Sequence, residues 1–146
     1  MRMIGQAGAA GIISRGAIEI APAALADMQR EADAAAPREC CGILLARDGV
    51  IRDILPAANI APDPVRLFEI DPATLIAAHR AARAGGPVVA GYYHSHPGGL
   101  PVPSAIDRES AAGDGSIWAI VGVRDIAFWL DGEAGFQPLS YSRSGG

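Results

Sequence analysis

The sequence predicts an α/β domain in which a mixed β-sheet packs against helices. Three observations support this class. Two segments repeat apolar residues at helical spacing, strand-like patterns alternate with them over the first two thirds of the chain, and the later strand-like patterns are separated only by turns, as in antiparallel hairpins. The chain has 146 residues, of which 50% are hydrophobic, and this is enough for one domain with its own core.

The first predicted elements follow a short arm. We expect residues 1–15 to form a flexible N-terminal arm and residues 16–146 to form a single domain. Residues 17–20 alternate apolar and polar side chains, which predicts a half-buried strand. A helix is predicted over 23–35, because Pro22 fits a first helical turn and apolar residues then recur on one face until another proline ends the pattern.

The middle of the chain predicts a strand pair, a loop and a second helix. The apolar run 41–46 predicts a strand covered on both faces, and a turn leads from it into a partner strand at 50–57. Residues 67–70 predict a further short strand. Asp71 is a good N-cap for a helix that ends at a Gly-Gly pair. The remaining strands are predicted over 88–94, 117–123, 126–130 and 136–141.

Composition excludes several functions. Twelve basic and sixteen acidic residues give a net charge of −4, which argues against nucleic-acid binding by a basic surface. The two cysteines, Cys40 and Cys41, are adjacent and cannot form an ordinary disulfide framework, so a reduced cytoplasmic compartment is expected. The chain contains no apolar run long enough for a membrane span, and we expect no membrane partner.

Two of the three histidines form the triplet His94-Ser95-His96 at the end of a predicted buried strand. Side chains two residues apart on a strand share a face, so both imidazoles can converge on one point. A metal ion is the natural partner for such a pair. A pair of surface imidazoles at a strand end explains the triplet about equally well when it is taken alone.

A third candidate ligand follows eleven residues later. Ser104 can cap a short helix predicted over 105–112, and Asp107 lies on the same helical face. His94, His96 and Asp107 would supply two nitrogens and one carboxylate, which is the ligand count of a catalytic zinc with an open fourth position. An ordinary capping box is the better explanation of an isolated Ser-x-x-Asp, but it loses most of that advantage when the motif follows a His-x-His on a strand.

These motifs resemble a known family. Glu39 before Cys-Gly-Ile-Leu, His94-Ser95-His96-Pro97 and Ser104-x-x-Asp107 are similar to the motif of the JAMM (MPN+, JAB domain) zinc metallopeptidases in their small prokaryotic form. The resemblance implies Zn²⁺ bound by His94, His96 and Asp107, with Glu39 as general acid/base and Ser104 supporting the oxyanion. It also implies a three-layer fold, a curved mixed sheet flanked by helices, similar to the cytidine deaminases.

The resemblance further implies a substrate class. Family members hydrolyse the amide bond after the Gly-Gly tail of ubiquitin-like or sulfur-carrier proteins, either as isopeptide links or as linear extensions. We expect such a tail to add as a strand to an exposed sheet edge. The short segment after Asp107 suggests a minimal enzyme that reads mainly the tail.

The residues alone leave the identity of the base open. A carboxylate near a zinc ion could accept a proton from water and deliver it to the departing amine. Only the motif match selects Glu39 for this role. The rival carboxylates are Glu69, Asp71, Glu109 and Asp114.

Two other folds also carry a His-x-His pair on a strand. An amidohydrolase barrel needs about 250 residues, and a cupin would be nearly all strand with a later histidine. A non-catalytic scaffold of the same fold remains the alternative function, although such relatives usually lack a metal ligand. We expect His79 in the second helix to be packed or solvated, Cys41 to be a buried apolar residue, and Trp118, Phe128 and Trp129 to pack in the core or on the sheet.

Overall fold

The fold comes from a computed structural model, which describes residues 11–145. Its elements, in chain order, are β1 (Ala17–Ile20), α1 (Pro22–Ala35), β2 (Cys41–Arg47), β3 (Val50–Ala57), α2 (Pro72–Arg83), β4 (Val88–Ser95), α3 (Ala105–Ser110), β5 (Ile117–Val121), β6 (Ile126–Gly132) and β7 (Gly135–Arg143). Both long helices begin with a proline in the first turn, as predicted, because that position needs no backbone donor.

The strands form one mixed sheet in the order β1-β3-β2-β4-β5-β6-β7. β1 pairs in parallel with both β3 and β7, and β4 pairs in parallel with β5, while the other pairs are antiparallel. The prediction of a mixed sheet with helices is confirmed. The β1–β7 pairing also closes the sheet into a barrel, which the sequence did not predict.

The two long helices pack on opposite faces of the sheet. Along β2, Leu44 lies in a core cluster with Met28 of α1, whereas Ile43 lies in a second cluster with Leu75 of α2. This alternation is the two-residue period of a strand covered on both sides. The result is a layer of helix, a curved sheet and a second layer of helix.

A bulge in β4 sets which side chains face α2. The β2–β4 register passes from Leu44↔Gly91 to Leu45↔Val89, so Ala90 is an extra residue. A bulge reverses the alternation of side chains beyond it. Tyr92 and the residues that follow at even spacing therefore face α2. Gly91 is required here, because a Cβ at this position would lie 1.8 Å from the carbonyl oxygen of Ile117 on β5.

Some expectations are corrected by the structure. Residues 67–70 form no strand; only Ile70 makes a single bridge, to Asn59. The Asn59 side chain instead satisfies the backbone here, since it donates to the Leu67 carbonyl and accepts from the Glu69 amide. The short helix α3 ends at Ser110, two residues earlier than predicted.

The predicted arm falls mostly on residues 1–10, which lie outside the described residues. Its final part packs on the domain. Ile12 is buried in the core cluster of α1, and Ser14 bridges to Ala17. Among residues 11–145, no helix combines the length and apolar character needed to cross a bilayer.

Candidate metal centre

His94 and His96 lie at the carboxyl end of β4, the central strand nearest to α2. His94 is the penultimate residue of the strand and is 1% exposed, whereas His96 follows the strand and its side chain is 15% exposed. The His96 amide donates to the carbonyl of Val121 on β5 (2.9 Å), which extends the ladder by one residue. The extended backbone keeps both imidazoles on one face of the sheet.

Asp107 reaches the histidines from the first turn of α3. The Ser104 hydroxyl accepts from the Asp107 amide (3.0 Å), and Oδ2 of Asp107 accepts from the Ser104 amide (2.9 Å). This is a complete capping box. The two explanations of the Ser-x-x-Asp motif therefore hold together: the cap fixes the Asp107 rotamer, and the same Oδ2 faces the imidazoles.

The three side chains converge on one point. Nε2 of His94, Nε2 of His96 and Oδ2 of Asp107 are 3.1 Å apart in each pair. Zinc bonds of about 2.0–2.2 Å in a tetrahedron place ligand atoms roughly 3.3 Å apart, so the triangle has the right size. The residues fit a zinc ion with three protein ligands.

The tautomer of His96 also suits a metal. Its Nδ1 lies 3.1 Å from the Leu100 carbonyl oxygen, which can only accept, so Nδ1 carries a hydrogen. In the neutral imidazole the lone pair then lies on Nε2, inside the cluster. An outer hydrogen bond of this kind orients ligating histidines in metal sites.

Aromatic rings hold His94 in place. Phe68 stacks on its imidazole with ring centroids 4.2 Å apart and an interplanar angle of 16°, and Trp118 approaches it edge to face at 5.6 Å. The Phe68 contact comes from the segment after β3, where no function was predicted. Trp118 was predicted to pack in the core or on the sheet, and in the structure it packs against the candidate ligand His94.

The electrostatics of the cluster are strongly coupled. Burial lowers the pKa of His94. Burial alone would also lower the pKa of His96, but its bonds to Asp107 and to the Leu100 carbonyl raise it overall. Burial would raise the pKa of Asp107, yet the two imidazoles and the Ser104 amide hold it far below its usual value. Asp107 is therefore an anion at every physiological pH, as a metal ligand requires.

Glu39 lies on the same face as the histidines. Cys41 pairs with His94, and the Ser95 amide donates to the Cys40 carbonyl (3.1 Å). The antiparallel register therefore places Glu39 opposite His96. Glu39 is 8% exposed, and burial, with a smaller contribution from Asp107 and against the effect of His96, raises its pKa to about 7.

The rival carboxylates have other roles or positions. Asp71 caps α2 by accepting from the Ala73 amide, and Asp114 accepts from the Ser116 amide. Glu69 and Glu109 are exposed. Within residues 11–145, the metal-type cluster is His94, His96 and Asp107.

Ser95 is a residue whose role sequence reasoning missed. It is 1% exposed, and its hydroxyl accepts from the Cys40 amide (2.8 Å). This bond joins the start of β2 to the end of β4 and so fixes Glu39 relative to the histidines. The alternation of side chains along a strand could have revealed this role. A serine between two histidines that share one face of the sheet must point to the other face, where the core lies.

The remaining candidates lie outside the cluster. His79 is 6% exposed in α2, and its Nε2 has no hydrogen-bond partner among the described residues. Cys40 and Cys41 are free and buried, and burial raises the pKa of the Cys41 thiol to about 12. Burial and a raised pKa both disfavour the thiolate form, so these cysteines are poor candidates for a nucleophile.

The curved mixed sheet ends in a His-x-His pair, and the carboxylate of Asp107 and the buried Glu39 lie beside it. His94, His96 and Asp107 form a group that could hold one metal ion. The chain belongs to the prokaryotic homologues of the JAB domain, whose family model matches residues 21–131. This confirms the resemblance that the motifs indicated.

Two curated relatives are similar over part of the chain. Desampylase of Haloferax volcanii is 39% identical over 58% of this chain and 62% of its own length. A probable TtuB-protein conjugate cleaving protease of Thermus thermophilus is 36% identical over 52% of this chain and 51% of its own length. The chain thus spans about half to three fifths of these relatives.

A solved structure supports the fold. The solution structure of a Desulfitobacterium hafniense protein matches 86% of this chain and 92% of its own, with a TM-score of 0.75 and 24% identity. At this identity the likeness concerns the architecture of sheet and helices.

Proposed function

We propose that this protein is a zinc-dependent peptidase that hydrolyses the amide bond after the Gly-Gly tail of a ubiquitin-like or sulfur-carrier protein. The observation that carries the proposal is the triangle of His94, His96 and Asp107 ligand atoms, 3.1 Å on each side, with buried Glu39 opposite. The names of the two curated relatives, a desampylase and a conjugate cleaving protease, support the substrate class.

Zinc held by His94, His96 and Asp107 would supply Lewis-acid chemistry, polarising a carbonyl and lowering the pKa of water to about 7. Glu39 then acts as the general base and acid. Burial raises its pKa to about 7 in the metal-free chain, and a cation beside it would lower that pKa. The ionised carboxylate would then be present at neutral pH to take a proton from the attacking water and return it to the departing amine. Burial of Glu39 keeps competing bulk water away from that proton.

Ser104 is assigned to the developing oxyanion. Its hydroxyl oxygen already accepts from the Asp107 amide, so its orientation is set by the helix cap. The hydroxyl hydrogen remains available for donation to the carbonyl oxygen as charge builds on it. The cap thus positions a metal ligand and an oxyanion donor with one hydrogen-bonded ring.

Part of strand β3 lies at an edge of the sheet where the substrate tail could pair. β3 pairs with β1 only at Ile51, and beyond that residue it pairs with β2 alone. This stretch runs to Ala57, opposite Cys41 and near Glu39, so a tail pairing there would be led toward the metal centre. Pro56 lacks an amide hydrogen and limits that pairing to a few bonds.

The test uses proteins with a Gly-Gly tail that carry either a linear C-terminal extension or a lysine-linked peptide. We expect cleavage after the second glycine, loss of activity with a chelator and recovery with added zinc, all read by mass spectrometry. Glu39→Gln is the matched control, since it should keep the zinc and lose hydrolysis by at least ~100-fold.

The scaffold alternative predicts a different result. A folded wild-type protein that takes up no zinc and cleaves none of these substrates would favour a protein-contact role over catalysis. Zinc uptake with cleavage at another bond would retain the enzyme class and overturn the tail specificity.

A further inference from the structure

The loop between β3 and α2, residues 58–71, holds the backbone of Glu39. Glu39 precedes β2, which begins at Cys41. The Glu39 amide donates to the carbonyl of Pro64 (2.7 Å), and the Glu39 carbonyl accepts from Nδ2 of Asn59 (2.9 Å). Both backbone polar groups of the candidate base therefore bind to this one loop.

The Asn59 side chain uses its full hydrogen-bonding capacity. Nδ2 donates to the carbonyls of Glu39 and Leu67, in both cases at 2.9 Å. Oδ1 accepts from the amides of Ala61 (3.0 Å) and Glu69 (3.1 Å). A primary amide has two donor hydrogens and one oxygen with two lone pairs, so each is used. Carbonyls only accept and amides only donate, and these partners therefore fix which end of the side chain is nitrogen.

One of these four bonds differs from the rest. The partners Ala61, Leu67 and Glu69 belong to the loop itself, so three bonds close the loop. The bond to Glu39 joins residues 20 apart in the chain and is not needed for that closure. It acts on the carbonyl of the candidate base, and so it restrains the position of the Glu39 backbone.

The same loop also supports a candidate metal ligand. Leu67, which accepts from Asn59, directly precedes Phe68, and the Phe68 ring stacks on the imidazole of His94 with centroids 4.2 Å apart. One donor hydrogen of Asn59 thus leads to the candidate base, and the other leads to the residue that packs on the ligand. A single side chain joins these two parts of the site.

We propose that Asn59 is a positioning residue that fixes Glu39 relative to the metal ligand His94, an inference that rests on the proposed function. A general base acts only within hydrogen-bond reach of the water that it deprotonates. A displacement of about 1 Å can cost two orders of magnitude in rate. The turnover rate therefore depends on the donation from Asn59 to the Glu39 carbonyl.

The test compares two substitutions of one residue. Asn59→Asp keeps the shape and the acceptor oxygen but replaces both donor hydrogens, and Asn59→Ala removes the donors without adding a charge. The control is Ile20→Val, which removes one methylene from the core cluster of α1, far from the loop, and lowers stability by packing alone. Thermal unfolding and zinc content verify that each variant is folded and loaded.

Both Asn59 variants should lower kcat on a Gly-Gly-tailed substrate at least about tenfold and leave KM within about twofold of the wild type. Ile20→Val should change neither constant. A raised KM with kcat retained, or an equal loss of kcat in Ile20→Val, overturns the positioning role. Loss of kcat in Asn59→Asp alone also overturns it, because the added charge would then be the cause.

Hydrogen exchange measured by NMR gives a readout that needs no catalysis. Asn59 is the only asparagine in the chain, so residue-selective ¹⁵N labelling identifies its side-chain amide. In the zinc-free wild type, its two Nδ2 hydrogens should exchange at least about tenfold more slowly than those of the exposed Gln137. Fast exchange at Nδ2 overturns the network.

The Glu39 amide tests the link itself. It should exchange at least about tenfold faster in Asn59→Ala than in the wild type, while the His96 amide, which donates to β5, keeps its rate. Unchanged exchange at Glu39 overturns the inference. If the wild type cleaves no Gly-Gly-tailed substrate, the proposed function fails, and the exchange rates alone decide whether Asn59 holds Glu39 in place.

Discussion

The buried carboxyl of Glu39 allows a test that is independent of activity. Burial raises its pKa from 4.5 to about 7 in the folded chain, whereas the unfolded chain keeps the lower value. At 1.36 kcal/mol per pKa unit, the ionised side chain costs the fold roughly 3 kcal/mol as an upper limit. Glu39→Gln removes this cost while it keeps the size and polarity of the side chain.

The sign follows from proton binding. Between pH 4.5 and pH 7 the folded chain holds a proton on Glu39 that the unfolded chain has lost, so the free energy of unfolding falls as pH rises through this window. Below the window both states are protonated, and above it the cost is complete. Glu39→Gln should match the wild type near pH 4 and be more stable by about 1–3 kcal/mol at pH 8.

The assay is urea unfolding of the two proteins across that pH range in the presence of a chelator. Asp107 stays ionised in both folded proteins across this range. The charge of Glu39 also acts on His96, so the difference between the two proteins includes that coupling. If the difference in free energy of unfolding between Glu39→Gln and the wild type does not change from pH 4 to pH 8, burial does not raise the pKa of Glu39 in the folded chain.

Three further outcomes are expected. His94→Ala should abolish binding of one zinc per chain in native mass spectrometry, while the control His79→Ala, also buried, should retain it; zinc retained by both would contradict the ligand assignment. Gly91→Ala should lower the free energy of unfolding by about 3 kcal/mol or more, because its Cβ would lie 1.8 Å from the Ile117 carbonyl oxygen. If urea unfolding shows wild-type stability, β4 and β5 can move apart at little cost in free energy. Asp131→Ala should cost about 1–3 kcal/mol and weaken zinc affinity in a chelator competition, since its buried carboxylate accepts two backbone amides just after α3; unchanged affinity would show that this anchor does not position the ligand helix.

Much of the secondary structure is local and was predicted from the sequence. The bounds of β1 and β3 match the prediction, because strand alternation and flanking turns are properties of neighbouring residues. The segment 67–70 shows the limit of this approach. It has a strand-like pattern, but Asn59, which is distant in sequence, supplies the hydrogen bonds that a sheet partner would have supplied.

The closure of the sheet into a barrel also could not be predicted from local sequence patterns. The pairing of β1 with β7 joins the two ends of the domain, and no periodicity within either strand specifies its partner. Likewise, the bulge at Ala90 decides which face of β4 the histidines occupy, although the sequence shows only an alanine before a glycine.

The sequence by itself determined the chemistry of the site: two imidazoles at strand spacing, a capped carboxylate at a fixed distance along the chain, and the family to which that motif belongs. Only the tertiary structure decided that Oδ2 of Asp107 and both Nε2 atoms share one point, and that Glu39 lies opposite His96. The reason is physical. Ligand type and spacing are encoded in consecutive residues, whereas convergence and burial depend on the register of β2 against β4 and on the packing of α3, which are set by contacts between distant parts of the chain.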